Sequence, residues 1–189
     1  MLMIGEKLNS SIPKTLEAFQ KRDSDAVIEL IKKQERFGAT YLDINTALTG
    51  EQENDTMRWV VDLVLQHSRC NIMIDSPNIG TIKEALPYAQ GRKLFINSIS
   101  TDKVYDELLP RIKETGASVV CLPIAGREIP AQPEGRLKNA DLWIEKLTAA
   151  GIATDHIYVD VLTEALATEE KAAETTLKTI RLMKEKYPE

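Results

Sequence analysis

Carboxylates and carboxamides stand at the ends of short apolar runs along this chain. From the N-terminus they are Glu6 and Asn9, then Asp43 and Asn45, then Asp75 with Ser76 and Asn78, then Asn97 and Ser98, and finally Asp160. Lys, Arg, His and Cys are nearly missing from the same places. A carboxylate accepts from two adjacent N–H groups, as a 2-amino-pyrimidinone edge presents them, and an Asn amide serves either sense. The set therefore suits a neutral ligand with several N–H donors and carbonyl acceptors. It suits phosphate or pyrophosphate poorly, because no cation stands there to receive one.

Each of these residues also has an ordinary explanation. Asp75, Ser76, Asn78 and Ser98 precede expected helices, where such side chains cap the backbone. Asp43 and Asp160 are harder to dismiss, since they sit between apolar neighbours and a buried acid needs a partner or a ligand. His67 and Cys70 have H-x-x-C spacing, but one further His and one further Cys cannot complete a zinc site without carboxylates, so no metal is expected. Cys121, within Val119-Val120-Cys121-Leu122, reads as a small core residue. Trp59 and Trp143 read as helix packing residues, and no G-x-S-x-G nucleophile motif is present.

The elements that must hold these side chains alternate in type. The apolar runs are Leu2–Leu8, Thr40–Asn45, Asn71–Asp75, Leu94–Ser98, Ser118–Pro123 and Ile157–Leu162, and they read as strands buried on both faces. Between them lie amphipathic stretches. One carries Ile28, Ile31 and Glu35 and ends at Gly38, and another carries Met57, Val60, Val61, Val64 and Leu65. A third starts near Asp102, carries Val104, Leu108, Leu109 and Ile112, and stops at Gly116. Leu137, Leu142, Ile144 and Leu147 mark the next, and the last runs from about Thr168 to Lys186. Six strand–helix units imply an α/β fold with a parallel sheet and right-handed crossovers. No G-x-G-x-x-G or G-x-x-x-x-G-K-[ST] loop is present, and polar residues gather at the strand ends, so a (β/α)8 barrel is favoured over an open nucleotide-binding sheet. It would be an incomplete barrel, with six of eight units in residues 1–189 and strands 7 and 8 missing.

Composition narrows the classes further. With 24 basic and 29 acidic residues the net charge is −5, and the two signs are interleaved, which argues against a nucleic-acid partner. At 43% hydrophobic and 28% charged, the chain is an ordinary globular one. No apolar run reaches the roughly 20 residues of a membrane span. The opening Met1-Leu2-Met3-Ile4 has no basic lead and reads as a buried strand, not a signal peptide. Two cysteines are too few for a disulfide framework, which points to the cytoplasm.

Taken in order, Ile4-Gly5-Glu6-Lys7-Leu8-Asn9, Leu42-Asp43-Ile44-Asn45, Ile74-Asp75-Ser76-Pro77-Asn78, Ile96-Asn97-Ser98 and Tyr158-Val159-Asp160 resemble the pterin-binding barrel family. That family includes methyltetrahydrofolate:corrinoid protein methyltransferases, the folate domain of cobalamin-dependent methionine synthase, and dihydropteroate synthase. The resemblance implies a dihydropteroate synthase-like TIM barrel in which Asp75, Asn97 and Asp160 bind the pyrimidine edge of a pterin. It implies supporting or water-linked places for Asp43, Asn45, Glu6, Asn9 and Ser98. Dihydropteroate synthases carry a Gly-Ser-Thr-Arg-Pro loop after the second strand, where this chain has Thr46-Ala47-Leu48-Thr49-Gly50-Glu51 without Arg. Their Asp-Thr and Asn-Asp strand ends are here Asp75-Ser76 and Asn97-Ser98, so the resemblance is closer to the methyltransferases.

Those enzymes move a methyl group between N5 of tetrahydrofolate and the cobalt of a separate corrinoid protein. Tetrahydrofolate or 5-methyltetrahydrofolate is then the substrate, and the corrinoid comes with a partner, since no D-x-H-x-x-G signature occurs here. The family's Asn near N5 follows a seventh strand and would lie beyond Glu189, so the catalytic residue is left unassigned. A homodimer is expected for the full-length form, and residues 1–189 alone are expected to associate through unpaired edge strands. The alternatives are a dihydropteroate synthase-like enzyme and a non-catalytic pterin-binding module.

Overall fold

Branched and aromatic side chains pack well on a pleated surface, and six short runs rich in them form strands. They are β1 (Ile4–Asn9), β2 (Tyr41–Asn45), β3 (Asn71–Asp75), β4 (Leu94–Ile99), β5 (Ser118–Cys121) and β6 (Ile157–Val159). The sheet order is the chain order, β1-β2-β3-β4-β5-β6, and β1–β2, β2–β3, β3–β4 and β5–β6 are parallel pairs. Helices α1 (Pro13–Gln20), α2 (Ser24–Arg36), α3 (Glu53–His67), α4 (Ile79–Ala85), α5 (Asp102–Thr115), α6 (Pro133–Ala149) and α7 (Ala172–Lys186) lie between and after them. This is a computed structural model, and it describes residues 2–89, 91–124, 126, 128–165, 167 and 169–188. Among the described residues no helix is long and apolar enough to cross a membrane.

The chain divides into two compact units, residues 1–97 with 107–117, and residues 98–106 with 118–189. In the first, alternation sorts the strand residues onto two faces. Leu42, Ile44, Ile72, Ile74, Leu94 and Ile96 share one face through their pairings and are buried. The other face changes character along the strands. Tyr41, Met73 and Phe95 are buried and apolar, with the Tyr41 and Phe95 rings edge to face at 4.8 Å. One pleat further on, Asn45, Asp75 and Asn97 form a row in register.

Strand β1 departs from the expected buried strand. It starts at Ile4, stands at the end of the sheet order, and leaves Leu2 and Met3 each 41% exposed beside it. Its register with β2 shifts between Gly5 and Leu8. A bulge leaves backbone groups outside the ladder, and side chains take them here. The Lys7 N–H donates to Gln34 Oε1 at 2.7 Å, and the Lys7 carbonyl accepts from the Thr15 hydroxyl at 3.0 Å. Gln34 comes so close that a Cβ on Gly5 would lie 2.7 Å from its Oε1.

In the second unit β5 and β6 pair through Val119–Ile157 and Cys121–Val159. The expected fifth and sixth strands are shortened, and β6 ends at Val159, before Asp160. The buried face of α6 is Arg136, Ala140, Trp143 and Leu147, so Leu142, expected on it, is exposed. Thr101, rather than Asp102, caps α5, its Oγ1 accepting from the Val104 N–H at 3.3 Å. Cys121 is a core residue as expected, and burial pushes its thiol pKa up to about 12. The sequence does not flag α1, whose eight residues are too short to show a clear period. The expected start of the last helix, Thr168, lies outside the described residues.

Candidate functional site

The first unit holds six of the expected residues, Glu6, Asn9, Asp43, Asn45, Asp75 and Asn97, on four adjacent strands. Asn45 Nδ2 donates to Asp75 Oδ2 at 2.8 Å. The other end of the same amide, Asn45 Oδ1, accepts from the Ser10 hydroxyl at 3.1 Å and from the Ala47 N–H at 3.1 Å. Asn45 is therefore committed to protein partners and fixes Asp75 in place. Asp43 lies one pleat behind, 3% exposed, bonded by the Asn97 side chain, and its Oδ1 is buried with no hydrogen-bond partner. Glu6, exposed on β1, contributes negative charge that bears on both Asp43 and Asp75. Asn9 turns its amide inward to the chain, Oδ1 accepting from the Ser11 N–H at 2.8 Å where β1 gives way to α1.

Burial and mutual repulsion set the electrostatics. Desolvation, then the charge of Asp75, push the Asp43 carboxyl up to about 8, against the lowering bond from Asn97. Desolvation also raises Asp75, opposed by its bond from Asn45 and assisted by Glu6. Two acids therefore differ in setting. Asp75 is half-buried and accepts from a fixed amide, while Asp43 is enclosed and favours its neutral form.

A second ring of bonds holds the loop after Asp75. The Ser76 hydroxyl donates to Glu53 Oε1 at 2.5 Å and accepts from the Asn78 N–H at 2.9 Å. The Thr46 hydroxyl donates to the Glu53 carbonyl at 3.2 Å. Glu53, 8% exposed, thereby joins the loops that follow β2 and β3. Asn78 is the cap of α4, its side chain accepting from the Gly80 N–H at 3.0 Å. Glu53 carries no motif, yet it begins the stripe Glu53, Met57, Val60, Val61, Val64. An acid on an otherwise apolar helical face was the available signal.

Asp160 and Ser98 belong to the second unit. Ser98 lies within β4 and does not cap α5. Asp160 is exposed rather than buried, and its Oδ1 accepts from the Leu162 N–H at 2.9 Å across a turn in which Leu162 has φ of 59°. That turn is braced by Arg136, 1% exposed, whose guanidinium donates to the carbonyls of Val161 (2.9 Å) and Leu162 (2.5 Å) and to Glu164 Oε2 (2.8 Å). The Thr176 hydroxyl also donates to the Leu162 carbonyl at 3.1 Å. Arg136, like Glu53, opens an apolar stripe, and hydrophobic periodicity hides it for the same reason.

A family model described as pterin binding enzyme matches residues 5–188. The chain belongs to that family. Over 192 residues it is 27% identical to a methylcorrinoid:tetrahydrofolate methyltransferase of Eubacterium limosum, covering 100% of this chain and 70% of that protein. It is also 27% identical over 200 residues to a methionine synthase of Mycobacterium leprae, of which it spans 16%. Among solved structures, a Yersinia pestis dihydropteroate synthase in complex with a sulfonamide drug aligns with TM-score 0.64 at 17% identity, covering 97% of this chain and 69% of that one. A dihydropteroate synthase of Anaplasma phagocytophilum, bound to 6-hydroxymethylpterin-monophosphate, aligns with TM-score 0.53 at 21% identity, over 85% and 65% of the two chains. These likenesses give this pterin-binding family member the dihydropteroate synthase-like α/β barrel fold, of which it carries six β/α units.

Proposed function

We propose that this chain binds a tetrahydropteridine by its pyrimidine edge and serves methyl transfer between N5 of a tetrahydrofolate and the cobalt of a separate corrinoid protein. The observation that carries the reading is the row Asn45, Asp75, Asn97, with the Asp75 carboxylate fixed at 2.8 Å by the Asn45 amide. Such a carboxylate is preset to accept two neighbouring N–H groups of a neutral ring. The 27% identity to a methylcorrinoid:tetrahydrofolate methyltransferase, spread over this whole chain, supports the choice of reaction.

In this reading Asp75 and Asn97 contact the ring, Asn45 keeps Asp75 in place, and Glu53 holds the loop that follows it. Asp43, Glu6 and Asn9 stand behind them. The corrinoid supplies the cobalt that carries the methyl group. A tertiary amine leaves poorly, so N5 must take up a proton or a strong hydrogen bond as its methyl departs. The chain contributes by holding the ring in one orientation and excluding alternatives, which is catalysis by positioning and electrostatics. The catalytic group near N5 is not assigned to any residue here. A cytoplasmic setting fits the unpaired thiols of Cys70 and Cys121, and a homodimer belongs to the same reading.

The test mixes the protein with 5-methyltetrahydrofolate and a reduced corrinoid protein and follows cobalt methylation by its absorbance change. Methylation that depends on this protein, and is lost in Asp75→Ala, is expected. Formation of a pteroate from a pterin pyrophosphate and an arylamine, without cobalt methylation, would replace this reading with the synthase one.

A further inference from the structure

We infer that Asp43 meets the ligand as a neutral carboxylic acid, donating a hydrogen bond from Oδ1 to an acceptor atom of the bound ring or to a water the ring holds there. The inference rests on the reading of this site as a pterin site. Its basis is the one buried carboxylate oxygen without a partner among the described residues. Asp43 is 3% exposed, and its Oδ1 is shut from solvent with no partner in the protein. A buried polar atom left unpaired is costly and calls for a partner from outside the chain.

The neighbours decide which form of the carboxyl that partner meets. Glu6 from β1 and Asp75 from β3 press negative charge on Asp43, and the Asn97 amide from β4 bonds it. Burial, then the charges of Asp75 and Glu6, raise its pKa to about 8 against the lowering bond from Asn97. Near neutral pH the group therefore carries its proton. A neutral carboxyl offers one O–H donor, and no group of the protein accepts from Oδ1. Asp75, held by Asn45, is an acceptor instead. The two acids thus read opposite senses, Asp75 taking N–H groups and Asp43 giving a hydrogen to a carbonyl or ring nitrogen. A ring edge with both, as an amino-pyrimidinone has, satisfies the pair, whereas an edge of donors alone would leave the Asp43 hydrogen unpaired.

Two measurements test this. In the ligand-free protein, the carboxyl carbon of Asp43 is followed by NMR across pH, with its signal assigned by its loss in Asp43→Asn. A midpoint near 8 is expected, and one in the ordinary Asp range would overturn the inference whatever the protein binds. Tetrahydrofolate binding is then titrated calorimetrically from pH 6.5 to 9.5 in buffers of different ionisation enthalpy. The wild type is expected to lose about tenfold in affinity per pH unit above the midpoint and to take up a proton on binding there. Asp43→Asn should show neither effect. If that variant fails to fold, proton uptake by the wild type decides alone. Binding that is flat with pH, with no proton uptake, would overturn this inference and leave Asp75 as the ring's acceptor. Absence of binding at every pH would overturn the pterin reading along with it.

Discussion

Asp75 shows how a single side chain becomes specific. Its type and place at a strand end were legible in the sequence, but its restraint by Asn45 was not, because the register that aligns the two strands is a long-range property. On the proposed pterin reading, Asp75→Ala removes charge-assisted bonds worth about 1.5–3 kcal/mol each, so tetrahydrofolate affinity should fall at least roughly tenfold by calorimetry. Affinity unchanged from wild type would discard the pterin assignment. Asp43 makes a separate statement about stability. In the unfolded chain its carboxyl titrates near 3.8, and in the folded chain near 8. The native state keeps a proton that the unfolded chain gives up, so the stabilisation is complete below about 4 and is lost as pH rises to about 8. Urea unfolding should show the wild type falling relative to Asp43→Asn by about 1.4 kcal/mol per pH unit across that window. Parallel pH profiles for the two proteins would contradict it. Asp160 was expected to be buried like Asp43, and its exposure follows from β6 ending one residue earlier.

Elements were easier to read than their ends. The runs Asn71–Asp75 and Leu94–Ser98 agree with β3 and β4 to within one residue, because continuous branched and aromatic runs have few other uses. Strand β1 is less buried than its sequence suggests, since an apolar run does not announce that it lies at an edge or carries a bulge. Helical periodicity located α2, α3, α5 and α6 but hid the polar residues on their inner faces. Gln34, Glu53 and Arg136 each sit on an apolar stripe near the end of a helix, where they bond the loop or bulge beside them. The consequence is measurable for Glu53. Its replacement by Ala leaves the Ser76 hydroxyl without its acceptor, at a cost of about 1–3 kcal/mol, and should speed hydrogen exchange at the Asn78 amide. Glu53→Gln keeps an acceptor oxygen and should recover most of the loss. Equal stability of the Ala variant and the wild type would show that the ring of bonds after Asp75 contributes little.

At the scale of the molecule, family and fold were both legible, because five polar strand ends in a fixed order leave little room for coincidence. The edge of the sheet yields a prediction of its own. With Leu2 and Met3 exposed beside β1, an edge strand carries apolar surface of the kind that templates association. Size exclusion over a concentration series should show larger species forming, and Met3→Glu should suppress them. A species of constant size would show that this edge is benign. The strand order has a further meaning for how the protein is made. Each strand pairs with the one synthesised just before it, as Asn71 does with Tyr41 and Leu94 with Ile72. A ribosome adds about 5–20 residues per second, so seconds separate successive strands, whereas small loops close in well under a millisecond. Every new unit thus emerges onto a surface already waiting for it. Asp43 is laid down first, Asp75 second and Asn97 third, and the acid that ends up enclosed loses its water only as its neighbours leave the exit tunnel.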